Sequence, residues 1–216
     1  MKRYFRVGHS TNEQEIGLTF PQSQKARIVG LVDGPRALSK QAIGKPLSSD
    51  VLLPEPEVHR KAIVTDLISC VATGMRFILS PALKSIFEKY SSPDNIEFVP
   101  VTVWKNNKKL QYWLSNPLTF KMDAIDYAAS EIWVADFGFS KQEKLHIQDK
   151  TTYLDTVKSL QRPKALLISI VKLREDTTTD FFLLEDVNGG IGYYVSETLK
   201  GEIENAGCTG ISFVEI

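Results

Sequence analysis

The chain contains two similar segments, and each has the pattern of a strand, a capped helix and a second strand. In the first copy, residues 77–84 are followed by residues 96–101. In the second copy, residues 193–200 are followed by residues 211–216, at offsets of 116 and 115 residues. The one-residue difference falls in the loop after the helix, where a change of length costs little. This repetition predicts an internal duplication of a strand–helix–strand unit.

The first copy carries the clearer helix signals. Ser80 is placed to cap the helix and Pro81 stands at its first position, where a missing N–H has no consequence. Four apolar residues then recur at i, i+3, i+4 and i+7, namely Leu83, Ile86, Phe87 and Tyr90. This spacing predicts an amphipathic helix with one buried face. Ser196 is expected to cap the second helix, and Gly207 to end it.

The rest of the chain is predominantly β in pattern. Apolar or β-branched runs predict strands at residues 2–7, 26–32, 75–79, 96–103, 109–114, 131–137, 165–173 and 180–185, and residues 150–160 predict a helix. Asn106 and Asn107 suit a tight turn. The strands at 165–173 and 180–185 are expected to form a hairpin. We therefore predict one α+β domain over residues 1–216, with a mixed, largely antiparallel sheet and a few packed helices. Within it, residues 1–60 are expected to form an irregular N-terminal segment, and residues 61–216 the core.

Charge and cysteine content exclude several classes of protein. The net charge is zero, but residues 1–120 hold 16 basic and 10 acidic side chains, whereas residues 121–216 hold 10 and 16. A dedicated nucleic-acid binder would normally be basic overall. No apolar run is long enough for a membrane helix. Two cysteines, Cys70 and Cys208, cannot form a disulfide framework, so we expect a cytoplasmic protein.

The sequence offers little for metal or nucleophile chemistry. His9, His59 and His146 are scattered without the spacing of a metal site. A GxSxG nucleophile motif is absent from the sequence. We therefore expect no cofactor, no metal and no contact with nucleic acid or membrane.

Two sets of acidic side chains and one tryptophan are candidates for a site. Asp123 and Asp126 stand at i and i+3 and would share a face if the segment is helical, which suits acid–base chemistry. An acidic set surrounds the predicted hairpin and would suit a basic partner protein; it comprises Glu175, Asp176, Asp180, Glu185 and Asp186. Trp113, next to Tyr112, is a candidate interface anchor or pocket wall.

Several of these segments together resemble a large bacterial family of immunity proteins found beside polymorphic toxins, the one numbered eleven in that classification. The similar stretches are residues 77–84 and 96–101, Tyr112 to Asn116, Met122 to Tyr127 with Ser130, and the closing residues 195–200 and 206–213. The likeness covers roughly residues 60–216.

The resemblance implies a protein that binds and neutralises a cognate secreted toxin without catalysis, with a nuclease toxin favoured by analogy. The acidic residues Asp176, Asp180, Glu185 and Asp186, with Trp113, are then candidates for contact with the toxin. Two alternatives remain open. One is a small hydrolase that uses Asp123 or Asp126. The other is a module that binds a small molecule or peptide near Trp113. The oligomeric state is left open.

Overall fold

The computed structural model describes residues 2–27, 34 and 36–216. In these ranges it contains four α-helices, thirteen strands and three short 3₁₀ helices. Most strand pairs are antiparallel. The predicted α+β class with a largely antiparallel arrangement is therefore confirmed. None of the helices in the described ranges is long and apolar enough to cross a membrane.

The bounds of the elements are as follows. The helices are α1 (Glu13–Ile16), α2 (Pro81–Tyr90), α3 (Lys150–Ser159) and α4 (Glu197–Asn205). The strands are β1 (Tyr4–His9), β2 (Ser23–Ala26), β3 (Pro56–Val58), β4 (Leu67–Ile68), β5 (Ile78–Leu79), β6 (Ile96–Lys105), β7 (Lys108–Pro117), β8 (Glu131–Asp136), β9 (Ser140–Leu145), β10 (Lys164–Ile170), β11 (Phe181–Val187), β12 (Gly190–Ser196) and β13 (Ile211–Glu215). The 3₁₀ helices are Leu38–Lys40, Val71–Thr73 and Met122–Ala124.

The chain forms two compact units, each assembled from separate segments. The first unit comprises Met1–Val7, Phe120–Thr198 and Val214–Ile216, and the second comprises Gly8–Thr119 and Leu199–Phe213. A seven-stranded sheet has the order β13-β1-β12-β11-β10-β8-β9, and a six-stranded sheet has the order β2-β3-β6-β7-β5-β4. The division into an irregular segment, residues 1–60, and a core, residues 61–216, stays a prediction.

Each unit has its own apolar core. The core of the first unit includes side chains that are at most 1% exposed, among them Ile132, Tyr153, Ile168, Leu184 and Tyr194. The core of the second unit contains Ile68, Ile78, Val103 and Leu114, which are fully buried. Burying one such side chain contributes about 1.5–3 kcal/mol, so these clusters hold each unit together.

Local sequence signals explain several element boundaries. The Ser80 hydroxyl accepts a hydrogen bond from the Leu83 backbone N–H at 3.2 Å, and Pro81 follows, as the sequence predicts for the start of α2. The β6–β7 turn places Asn106 and Asn107 at positive φ, 48° and 62°. Asparagine tolerates this conformation, which matches the twist of a tight hairpin. Both predictions are confirmed.

One expectation is wrong, one strand was not predicted, and one prediction falls outside the described residues. The segments predicted as a hairpin, β10 and β11, pair in parallel through Ile168 and Val187. Parallel neighbours need a crossover rather than a tight turn, and the polar run 174–179 belongs to that crossover. Strand β9 was missed because its sequence is polar and lies at the sheet edge, exposed along most of its length. The predicted strand 26–32 lies mainly outside the described residues.

The predicted repeat is present and is larger than the sequence pattern indicated. In the first copy, β7 lies between β5 and β6, and β4 pairs with β5. In the second copy, β1 lies between β12 and β13, and β11 pairs with β12. Each copy is therefore a four-stranded arrangement with one helix, in the same strand order.

Candidate functional site

An acidic groove of about 600 Å³ lies within the first unit. Its wall includes five carboxylates, Asp123, Asp126, Asp149, Glu175 and Asp176. The basic side chains in its wall are Lys150 and Arg174, so the lining carries a formal net charge of three negative. We call this feature the acidic groove.

The crossover from β10 to β11 brings the two predicted acidic sets together. Leu173 bridges to Ile125, and the Arg174 backbone N–H donates to the Ala124 carbonyl at 2.9 Å. The run that follows Leu173 is thereby placed beside the 3₁₀ helix that carries Asp123. Asp126 lies beyond that 3₁₀ helix, so the two aspartates share a groove rather than a helix face. Sequence spacing alone did not predict this meeting.

Arg174 and Asp176 form the best-defined charge pair of the groove. The Arg174 Nε and Nη2 atoms donate to the two Asp176 carboxylate oxygens at 3.1 and 3.0 Å. This two-point contact lowers the pKa of Asp176. Both side chains remain more than half exposed, so water screens the pair and it adds little to stability. The Asp176 charge is accessible at the surface.

Two other carboxylates of the groove also close local turns. Asp149 caps α3 by accepting from the Thr152 N–H at 2.8 Å, and that bond lowers the pKa of Asp149. Asp126 accepts from the Ala129 N–H at 3.1 Å. Each carboxylate offers about four acceptor positions, so neither bond prevents contact with a partner. Asp149 was not among the predicted site residues, although an aspartate directly before a predicted helix is a usable signal.

Tyr127 connects the groove with two further acidic side chains. Its hydroxyl donates to the Met122 carbonyl at 2.8 Å. Burial raises the pKa of Tyr127, and the charges of Glu185, Asp123 and Asp186 raise it further. The predicted contact residues Glu185 and Asp186 therefore lie within electrostatic range of the groove wall.

Glu185 and Asp186 are nonetheless half-buried. Burial raises the pKa of both carboxyls, and the Tyr153 hydroxyl donates to Asp186 at 2.6 Å. Charge reversal at either position would place a buried cation in the unit. These two side chains are less accessible to solvent than Asp123 and Asp176, which are exposed.

Asp180 is engaged in holding the fold. It accepts from the Lys2 ammonium at 2.7 Å and from the Ser196 hydroxyl. Burial raises the pKa of Asp180, but these hydrogen bonds outweigh burial, and its pKa lies below the ordinary value. Asp180 does not line the acidic groove.

Trp113 lies on β7 in the second unit and is half-buried. The Lys84 ammonium stands 4.7 Å from its ring centroid. Neighbouring Tyr112 is buried and donates to the Thr65 carbonyl at 2.8 Å. The Trp113 ring thus contacts Lys84, the Tyr112 hydroxyl is hydrogen-bonded, and neither ring lines the acidic groove. Their role in binding stays a prediction.

Among the residues that the structure describes, no three His, Cys, Asp or Glu side chains are arranged to hold a metal ion. Cys70 and Cys208 are not joined in a disulfide, and burial raises the pKa of both thiols. The turn bond of Asp126 counts against its use as a free acid or base.

The closing motif of the chain has a structural explanation. Asp66 accepts hydrogen bonds from the backbone N–H and the hydroxyl of Thr209, at 2.8 and 3.2 Å. Gly210 has a φ of +80°, and a Cβ there would come within 2.4 Å of the Leu67 carbonyl oxygen. A larger residue would have to displace that backbone. These contacts help to hold the second unit together.

Comparison with known proteins identifies the chain. Residues 31–216 match the profile of an immunity protein family, so the chain falls in the class of immunity proteins. The particular family is Imm11, and the chain belongs to it. The resemblance read from the sequence is confirmed, and the match begins well before residue 60. No curated protein matches the chain significantly.

Proposed function

We propose that this protein neutralises a cognate toxin by direct, non-catalytic binding in the cytoplasm, and that the acidic groove contributes to the contact. Membership of an immunity protein family supports the neutralising role. The observation that carries the proposed surface is the group of five carboxylates in one groove, against two basic side chains among the described residues of its wall.

The charge of the groove favours a basic surface on the toxin. A nuclease toxin must bind a polyanion, so its substrate cleft is expected to be basic. An immunity protein that fills such a cleft with carboxylates would block the substrate and would associate rapidly through long-range attraction. A nuclease is therefore the favoured toxin class, with Asp123, Asp149 and Asp176 as the most accessible contacts.

The proposal can be tested with the toxin domain encoded beside this gene. We expect tight binding that protects cells from that toxin. The affinity should fall steeply when sodium chloride is raised from about 50 mM to about 500 mM, because salt screens exposed charges. Isothermal titration calorimetry at the two salt concentrations measures this directly.

A matched pair of charge-reversal variants locates the surface. The groove variant carries Asp123→Lys, Glu175→Lys and Asp176→Lys, which leaves the Asp149 cap of α3 in place, and affinity should fall about a hundredfold or more. The control variant carries Asp94→Lys, Glu143→Lys and Glu215→Lys, three exposed carboxylates outside the groove wall. Both change net charge equally. Equal affinity of the two variants would reject the groove as the contact, and absence of both binding and protection would reject the immunity role for this toxin.

A further inference from the structure

A second cavity, of about 850 Å³, lies wholly within the second unit. Its walls come from four stretches of the chain, residues 24–26, 37–43, 52–54 and 71–76. We call it the apolar cavity. Its volume falls in the range of small-molecule sites, which are concave and mostly apolar with a few polar groups.

The lining of the apolar cavity is mostly apolar, and its charged residues are basic. Nine of its sixteen lining residues are apolar, and they include Val71 and Met75, which are 61% and 46% exposed. Among the lining residues that the structure describes, Lys25 and Arg76 are basic and none is acidic. In a chain with equal numbers of acidic and basic residues, this composition favours a ligand with an apolar body and a negative charge.

Arg76 is held firmly in this wall. It is 5% exposed, and its Nε donates to the Asn116 side-chain oxygen at 2.9 Å. Its Nη2 donates to the Gln41 carbonyl at 3.1 Å. Asn116 is itself fully buried and donates to the Lys45 carbonyl and to Glu97. A guanidinium fixed in this way loses little conformational freedom on binding an anion.

Lys25 supplies a second positive charge. It lies on β2 and is exposed, and it forms no ion pair with the residues that the structure describes. A mobile ammonium at the wall can approach the charged end of a ligand, while Val71 and Met75 cover the apolar end. The acidic groove and the apolar cavity therefore differ in sign, since carboxylates line one and basic side chains the other.

From this arrangement we infer that the apolar cavity binds a small carboxylic acid with an apolar body. The carboxylate lies toward Lys25 and Arg76, and the apolar body lies against Val71, Met75 and the neighbouring aliphatic side chains. The inference does not depend on the acidic groove, because the described residues that line the apolar cavity all belong to the second unit.

The test uses the full chain and three probes that share one apolar tail, namely decanoate, decan-1-ol and decylammonium. We expect decanoate to bind with one-to-one stoichiometry and about tenfold or more tighter than either of the other probes, measured by calorimetry. Equal affinity for decan-1-ol, or no binding of decanoate, would overturn the inference.

Surface variants then locate the bound probe. Lys25→Glu and Val71→Glu change exposed side chains of the cavity wall, and each should weaken decanoate binding about tenfold. Lys108→Glu and Leu18→Glu are matched changes at exposed positions outside the cavity, and they should leave affinity unchanged. Circular dichroism checks that all four variants are folded. Decanoate binding that the cavity variants leave unchanged would place the probe elsewhere and overturn the inference.

Discussion

The two copies of the repeat use the same interactions with different chain connectivity. In the first copy, Asp66 accepts from the hydroxyl of the capping residue Ser80, and in the second copy Asp180 accepts from the hydroxyl of Ser196. The backbone contacts agree as well, because the N–H of each serine donates to the carbonyl of its aspartate, at 2.7 and 2.8 Å. The repeat therefore includes a serine–aspartate tie that joins the helix start to the neighbouring strand.

The middle strands of the two copies also correspond in detail. Tyr112 on β7 and Tyr4 on β1 each donate to a carbonyl that precedes the aspartate of the tie, at 2.8 and 2.7 Å. The acceptor is Thr65, one residue before Asp66, in the first copy and Thr177, three residues before Asp180, in the second. In the first copy, the middle strand β7 comes after the other three strands in the chain. In the second copy, the middle strand β1 comes from the beginning of the chain, far before the other three. The middle strand therefore carries the same tyrosine contact in both copies, although the two strands come from different parts of the chain.

The two copies differ in the additional hydrogen-bond donors that contact the aspartate of the serine–aspartate tie. Asp66 is also bound by Thr209, whereas Asp180 is also bound by the Lys2 ammonium. A second difference lies at the end of the middle strand. His9 ends β1, and its Nε2 is buried without a hydrogen-bond partner among the residues that the structure describes. By alignment of the strand registers, the corresponding residue of β7 is Pro117, which cannot titrate.

The largest expected effect comes from removing the matched helix residues Leu83 and Leu199, both fully buried. Leu83→Ala and Leu199→Ala should each lower the free energy of unfolding by about 3 kcal/mol, because each leaves a cavity. Urea unfolding monitored by circular dichroism measures both. A difference above about 1.5 kcal/mol between the variants would mean that the two helices are packed unequally.

The two copies should respond differently to acid, because His9 titrates and the corresponding Pro117 does not. Burial lowers the pKa of His9 to about 4, from 6.5 when exposed. The unfolded chain therefore takes up this proton first as the pH falls, and stability is lost between pH 6.5 and 4. The loss from this group should reach about 2–3 kcal/mol between pH 7 and pH 4.5.

The variant His9→Leu isolates that contribution. Urea unfolding at both pH values should show a smaller acid-induced loss in the variant than in the wild type, by the same amount of about 2–3 kcal/mol. All other titrating groups are present in both proteins and serve as the internal control. Identical pH dependence of the two proteins would contradict a buried neutral His9.

The paired tyrosines should show a smaller and equal effect. Tyr112→Phe and Tyr4→Phe each remove one hydrogen bond to a buried carbonyl and should cost about 1 kcal/mol. Thermal and urea unfolding of the two variants gives the comparison. If Tyr4→Phe proved neutral while Tyr112→Phe did not, the second copy would not depend on this contact.

The smallest expected effect concerns Lys84 and Lys200. Their ammonium groups stand 5.8 and 5.4 Å from the ring centroids of Phe98 and Phe213. Each lysine also pairs with a glutamate one helical turn later. Lys84→Met and Lys200→Met should each cost about 0.5–1 kcal/mol. Lys158→Met, at a highly exposed ion pair, is the control and should change stability by less than about 0.3 kcal/mol. A loss in the control equal to that in the test variants would remove the ring contact as the cause.

The local structure could be read from the sequence because the signals are short-range. Ser80 and Pro81 define the start of α2, two asparagines define the β6–β7 turn, and Gly207 at a φ of +69° follows α4. Each depends on backbone groups a few residues away. The polar strand β9 could not be found in this way. Its residues carry no strand pattern, and it is a strand because its backbone pairs with that of β8.

The sequence by itself determined the repeated unit, the caps and turns, the α+β class and the resemblance to the immunity proteins. Only the tertiary structure decided which distant residues meet. The parallel pairing of β10 and β11 placed Asp176 beside Asp123 in the acidic groove, and long-range packing supplied β1 as the middle strand of the second copy. The physical reason is the range of the forces involved. Caps and turns act within a few residues, whereas apolar burial and strand pairing act on whichever segments the fold brings together.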